Sequence, residues 1–173
     1  MIEEPALGFG FNVGSSSSNE TETSLSLRIK QLMDSQPFAV LCTQGEQQPY
    51  GSLVAYSMTD DLTAVVFATP VTTRKFKLLN QNDRVALLID NRCQHHDNMM
   101  NVRAVTATGF AKQVESDKEF KFWSRLLTVR HSNLSNFVHS PTVALFSVDI
   151  ARYFHVERFQ EVQQWIPQRI IPG

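Results

Sequence analysis

Residues 66–90 read VFATPVTTRKFKLLNQNDRVALLID. An apolar run ends at Thr69 and Pro70, and TTRK follows. FKLLN comes next, and a second apolar run spans Arg84 to Asp90. Short runs rich in β-branched and aromatic residues read as strands. Between them, Phe76 to Asn80 is long enough for a short helix, with Thr72 or Thr73 as its cap. A helix N-terminus offers unpaired N–H groups and a partial positive charge. Here two hydroxyls, the flat two-pronged guanidinium of Arg74 and the point charge of Lys75 stand beside it. That is a receptor for one phosphate group. The spacing GxxxxGK[ST] is absent, so a terminal monophosphate is expected rather than a triphosphate with magnesium.

Working outward, further strands are expected at Phe38–Thr43, Ser52–Met58, Leu62–Thr69, Val102–Val114 and Thr142–Val156. QGEQQPYG and TDD supply turns between them. Leu25, Leu27, Ile29, Leu32 and Met33 give an apolar face to a helix that begins at Thr23 or Ser24 and ends before Pro37. Residues 116–130 are the clearest helix: Ser116 caps, Glu119 sits three residues on, and Phe120, Trp123, Leu126 and Leu127 line one face. Ser135–His139 adds a turn before Pro141. Phe120, Trp123 and Phe137 are expected to pack as core. About six sequential, short-linked strands imply an antiparallel sheet that must close or be covered. The expected fold is mainly β with short helices, a small barrel with helices packed on it.

Residues 1–22 read as a flexible tail, because SSSSNETET (15–23) is polar and without periodicity. GFGFNVG is not a dinucleotide loop, since no strand precedes it and no helix follows. Residues 23–173 read as a single domain. Of the 173 residues, 42% are hydrophobic and 19% charged, and the net charge is -1, so nothing global draws the chain to nucleic acid or an anionic membrane. Arg103, Arg125 and Arg130 form no continuous basic stripe. No stretch approaches the ~20 apolar residues needed to span a bilayer. The start MIEEPALGFGF is not a secretory signal, so a cytoplasmic protein is expected. Cys42 and Cys93 form no CxxC, and Cys42, within FAVLCT, reads as a small buried hydrophobe. His95, His96 and Asp97 share a loop without a third ligand at helpful spacing, so no metal is expected. His131 and His139 read as surface or capping residues.

The stretch from Pro49 to Asp90 resembles the pyridoxamine 5'-phosphate oxidase-like superfamily of FMN-binding split barrels. PYGSLVAYS looks like the second barrel strand of that family, and VFATPVTTRKFKLLNQNDRVALLID like its phosphate-binding strand, turn and helix. AVTATGFAKQV looks like the later strand with its glycine, here Gly109. The likeness covers roughly residues 37 to 165. It implies a six-stranded antiparallel split β-barrel and a homodimer with FMN at the subunit interface. It further implies an oxidoreductase acting on a small-molecule substrate or an electron donor such as NAD(P)H. By the same resemblance Thr73, Arg74 and Lys75 match the phosphate contacts. Ala68 and Thr69 match the strand end beside the flavin, and Ser52, Leu53 and Val54 match the segment along the isoalloxazine ring.

The chain departs from the true oxidase. Ser52 stands where the oxidase has an arginine, its lysine near Ser57 is missing, and Ala104 stands in place of a glutamine. Of its Arg-x-His element, Tyr153-Phe154-His155 keeps only the histidine. The ending WIPQRIIP echoes its Trp-xxx-Arg-Leu-x-Pro terminus. Without the arginines a vitamin B6 phosphate would lack its anchor, so a related small flavoprotein is expected instead. No side chain stands out as a catalytic acid or base. Two alternatives stay open: a non-catalytic flavin-binding module, and a haem-binding or haem-degrading split barrel with His155 or His139 as ligand.

Overall fold

Seven antiparallel strands form one sheet that curls until its third strand pairs with its sixth. In chain order they are β1 (Phe38–Gly45), β2 (Gln48–Met58), β3 (Ala64–Pro70), β4 (Arg84–Asp90), β5 (Ala104–Gln113), β6 (Val143–Glu157) and β7 (Glu161–Trp165). The sheet order is β3-β2-β1-β4-β5-β6-β7. Closure by β3–β6 makes a six-stranded barrel, and β7 is an extra strand on the far part of β6. The computed structural model describes residues 19–45, 47–158 and 161–168. The GFGFNVG stretch and the end of WIPQRIIP lie outside them. No helix among the described residues is long and apolar enough to cross a membrane.

Alternation along the strands explains the core. Ala39, Leu41 and Thr43 of β1, Val85, Leu87 and Ile89 of β4, and Val105 and Ala107 of β5 are buried, while their neighbours are more exposed. These inward residues meet Tyr56, Phe67 and Phe146. The rings of Phe67 and Phe146 stack at 5.7 Å, and Phe76 meets Phe146 edge-on at 6.0 Å. Edge-on and offset rings are the favourable aromatic geometries, so the barrel interior gains more than area alone.

Among the described residues four α-helices accompany the barrel: α1 (Asn19–Ser35), α2 (Arg74–Gln81), α3 (Asp117–Arg130) and α4 (Ser135–Val138). α1 begins earlier than the sequence pattern suggests. Residues 19–22, read as tail, are helical, and Thr23 and Ser24 lie inside the helix rather than capping it. Leu25, Ile29, Leu32 and Met33 of α1 are buried against the barrel, whereas Leu27 is exposed. Arg28 clips α1 to the last strands, donating to Glu157 at 2.5 Å and to Gln163 at 2.7 Å. The other end of α1 is held by Arg130 of α3, which donates to the carbonyls of Met33 (2.6 Å) and Gln36 (2.8 Å). On α3, Ser116 caps by accepting from Glu119 N, and its hydroxyl donates to the Glu119 carboxylate at 2.9 Å. Phe120, Trp123 and Leu126 pack against a second cluster of Val66, Leu127, Val138 and Leu145, whereas Phe137 is 37% exposed and stands at the margin of the packing.

One irregularity sets which side chains of β6 face outward. The β5–β6 register shifts between Thr108 and Gly109: Thr108 pairs with Arg152, Gly109 with Ile150, and Ala151 is left over. Such a bulge reverses the inside–outside phase of the strand beyond it. Val148 and Ile150 face inward before it, and Tyr153 and His155 face inward after it. Gly109 is required there, because a Cβ would collide with the backbone of Asp149 and Ile150.

Candidate functional site

The barrel is split between β2 and β3. Those strands pair only through Tyr56–Phe67, Ser57–Val66 and Met58–Val65. Beyond this, β2 from Ala55 back to Gln48 pairs with β1 alone, and β3 from Ala68 to Pro70 pairs with β6 alone. The two strands therefore form a fork, and each presents an edge without a ladder partner to the gap. Such edges are rows of backbone donors and acceptors.

All eight residues singled out from the sequence lie around this fork. Ser52, Leu53 and Val54 form the β2 arm, and Ala68 and Thr69 the β3 arm. Thr73, Arg74 and Lys75 start α2 immediately after. Thr73, not Thr72, is the cap: its Oγ1 accepts from Phe76 N at 3.3 Å. It also donates to Pro70 O at 2.9 Å and lies 2.9 Å from the hydroxyl of Thr69, which is fully buried. The turn is thus pinned to the end of β3, and the free N–H groups of α2 have a fixed direction.

The two cations reach back to β2. The Lys75 ammonium donates to Leu53 O at 3.5 Å, at the edge of the fork. Burial holds its pKa below the usual lysine value. The Arg74 guanidinium lies over the Tyr50 ring, 5.2 Å from its centroid. Among the described residues no carboxylate pairs with either. On the same arm the Ser52 hydroxyl is buried and has no hydrogen-bond partner. A partly desolvated cation without a counter-charge and a buried hydroxyl without a partner are both costly unless a polar ligand completes them. The residues present therefore fit a phosphorylated group. A cleft of about 820 Å³ opens beside the start of α2, lined by Thr72, Thr73, Arg74, Lys77 and Asn80 among others. Leu53 points the other way, onto the outer wall, and is 65% exposed.

Tyr50 was not singled out by the sequence reading. The strand pattern reads QGEQQPYG as a turn, but the resemblance already places PYGSLVAYS in the second barrel strand, and β2 does extend back through Tyr50 to Gln48. A Tyr two residues before a flavin-segment position on the same strand face was the available signal.

The histidines separate. His155 is fully buried, with neither ring nitrogen hydrogen-bonded. Its pKa is lowered by burial; Glu157 opposes this, and Arg28 and Arg103 reinforce it. The bulge has turned it inward, out of reach of a ligand on the outer wall. His131 Nε2 lies 2.8 Å from Tyr56 O, and His139 Nδ1 lies 2.8 Å from Ser135 O. His95, His96 and Asp97 sit in the β4–β5 loop, and no group of three metal-binding side chains occurs among the described residues. Cys42 is not a core residue as expected but half-exposed on the outer face of β1, with its thiol pKa pushed up by burial. Ser57 is buried opposite Val66, and Ala104 begins β5.

Solved structures of the same shape carry varied names. A haem-binding protein from Mycobacterium smegmatis superposes with a TM-score of 0.72 at 16% identity, over 88% of this chain and 60% of that one. A protein from Clostridium acetobutylicum related to general stress protein 26, of the pyridoxinephosphate oxidase family, gives 0.66 at 12% identity, over 83% and 94%. A FAD-binding protein from Mesorhizobium loti gives 0.62 at 15% identity, over 75% and 90%. This chain thus spans less than two thirds of the haem-binding protein and most of the other two. At these identities the likeness is one of fold. No curated protein sequence matches the chain. The family model for pyridoxamine 5'-phosphate oxidase matches residues 25–157, which include the fork, α2 and the bulge. With its split barrel and that match over most of its length, the chain belongs to the pyridoxamine 5'-phosphate oxidase family.

Proposed function

We propose that the chain binds FMN in the fork as a homodimer and acts as an FMN-dependent oxidoreductase on a small-molecule substrate or an electron donor such as NAD(P)H. The observation that carries the reading is the placing of Arg74 and Lys75 together at a capped helix N-terminus with no carboxylate paired to them among the described residues. In this reading Thr73, Arg74 and Lys75 hold the phosphate. Backbone groups of Ser52, Leu53 and Val54 meet the polar edge of the ring, with Ala68 and Thr69 at the opposite arm. A flat heterocycle needs an apolar wall and edge partners together, and a split strand pair offers both. The bound flavin supplies hydride or electron transfer. The chain supplies binding, orientation and control of access. Exposed Leu53 and Phe38 on the outer wall of β1 and β2 give a second copy an apolar face to cover.

The FAD-binding and haem-binding names among the structural neighbours support a flavin or haem reading of the fold in general. Within this chain the fork favours the flavin. The haem alternative would need His155 to leave the barrel interior or His139 to leave its contact with Ser135. The test is an absorption spectrum of the purified protein, with chromatography of whatever heat releases. FMN is expected, with bands near ~370 and ~450 nm. A Soret band would favour haem, and a colourless protein that refuses added FMN would remove the reading. Oxidation of NAD(P)H by the yellow protein separates an enzyme from a flavin carrier.

A further inference from the structure

The two ends of α1, which lies against β4, β5 and β7, are held by different chemistry. At its C-terminal end the acceptors are backbone carbonyls. Arg130 donates to Met33 O and Gln36 O, and the Tyr56 hydroxyl donates to Met33 O at 2.7 Å. Backbone carbonyls do not titrate, so mild acid leaves this end alone. Nearer the N-terminal end a single side chain, Arg28, clasps Glu157 of β6 and Gln163 of β7. His155 lies in the strand layer under this clasp. It pairs with Gln163 across the β6–β7 ladder and stands two residues before Glu157 on the same strand face. Both acceptors of Arg28 therefore flank the imidazole. Three buried nitrogens of this cluster have no hydrogen-bond partner: Nε of Arg28 and both ring nitrogens of His155. A buried polar cluster that is only partly satisfied responds strongly to an added charge.

We propose that α1 is an acid-released strap: protonation of His155 opens the Arg28 clasp, and the first half of α1 lifts from the strands while the Arg130 end stays in place. The neutral ring has one N–H and one acceptor nitrogen, whereas the imidazolium has two N–H groups and a positive charge. Imidazolium and guanidinium then compete for the Glu157 carboxylate and repel each other. The surroundings do not relieve them. Arg103, before β5, is a third cation acting on the ring, and Val105, its ladder partner on β5, is apolar. Glu161 of β7, opposite Glu157, is paired with Arg158 at 3.4 Å. On α1, Lys30 is turned to Asp34 and Asp60. Once α1 lifts, water reaches the ring and solvates its charge. Burial holds the folded pKa of His155 below 6.5, and the opened ring returns to that ordinary value. Opening therefore takes up a proton and is favoured as pH falls below 6.5. None of these residues belongs to the fork, so the strap does not depend on the flavin reading.

The experiment is native-state hydrogen exchange by NMR on the full chain, from about pH 5 to about pH 8, with each rate corrected for the intrinsic effect of pH. The opening constant at the amides of Leu25, Arg28 and Ile29 should rise by up to about tenfold per pH unit below 6.5 and level off above it. At acid pH it should exceed that of the barrel amides of Leu41 and Leu87 by at least about tenfold, and depend only weakly on urea. In His155→Gln the acid rise at the α1 amides should disappear. One opening constant shared by α1 and barrel amides at every pH would overturn the strap, since α1 would then leave only when the whole chain unfolds. That comparison uses wild type alone and stands even if the variant folds poorly. An acid rise that persists in a folded His155→Gln would also overturn it.

Discussion

The Arg74 guanidinium stands 5.2 Å from the centroid of the Tyr50 ring, so a residue of β2 holds the first cation of α2 over the mouth of the fork. The flat face of the ring offers negative charge without a formal anion. It can therefore orient the guanidinium without neutralising it, which a carboxylate would do.

Replacing that ring tests the arrangement. Tyr50→Leu should weaken FMN binding by about 1 kcal/mol, roughly fivefold, while leaving riboflavin unchanged. Tyr50→Phe should stay near wild type, since the hydroxyl is not needed for stacking. Fluorescence quenching of each ligand is the readout. An equal loss for both ligands would mean that Tyr50 shapes the ring site and not the cation.

The turn between β3 and α2 rests on Thr73, which caps the helix and meets the Thr69 hydroxyl at 2.9 Å. Thr73→Ala should lower global stability by about 1 kcal/mol in urea unfolding. A midpoint identical to wild type would show that the cap carries no weight there.

Gly109 faces backbone that a Cβ would strike. Gly109→Ala should therefore cost about 2 kcal/mol or more, because both strands must part to admit one methyl group. The bulge would be the first place to move, and Arg152 with it. Urea unfolding gives the energy, and amide shifts at Arg152 and Tyr153 give the place. An unshifted midpoint would contradict the close approach.

His155 should make stability depend on pH. Its imidazole is buried without partners, and its folded pKa lies below the ordinary value of 6.5. The unfolded chain then binds the proton more readily, so stability rises with pH across that interval. The contribution is complete above pH 6.5 and is lost as pH falls toward the folded pKa. Glu157 on β6 tempers the effect, while Arg28 on α1 and Arg103 before β5 strengthen it. His155→Phe should flatten the stability curve below pH 6.5. An unchanged slope in that variant would assign the pH dependence elsewhere.

Much of this was legible in the sequence because local signals agreed. TTRK before an amphipathic stretch and between two β-branched runs marks strand, cap and helix at once. Ser116 with Glu119 marks the start of α3 in the same way. Other features left no local trace. Residues 19–22 are polar, so nothing in their pattern announces that α1 has begun. EVQQW has too little apolar alternation to read as β7, which pairs with β6 at residues already turned by the bulge. The bulge itself hides inside two runs that alternate smoothly when read singly. Only their pairing shows that Ala151 is extra, that Arg152 faces out and that His155 faces in. The β2–β3 fork is likewise a property of pairing, which is why the site residues could be named before the gap between them was visible.

The most direct test of the phosphate site is the affinity of FMN and riboflavin for wild type and Arg74→Ala. FMN binding should fall by on the order of 2 kcal/mol, about thirtyfold, and riboflavin binding should hardly change. Arg74→Lys should fall between, since a two-pronged contact becomes a point charge. Equal losses for FMN and riboflavin, or no loss for either, would contradict the account and place the phosphate elsewhere.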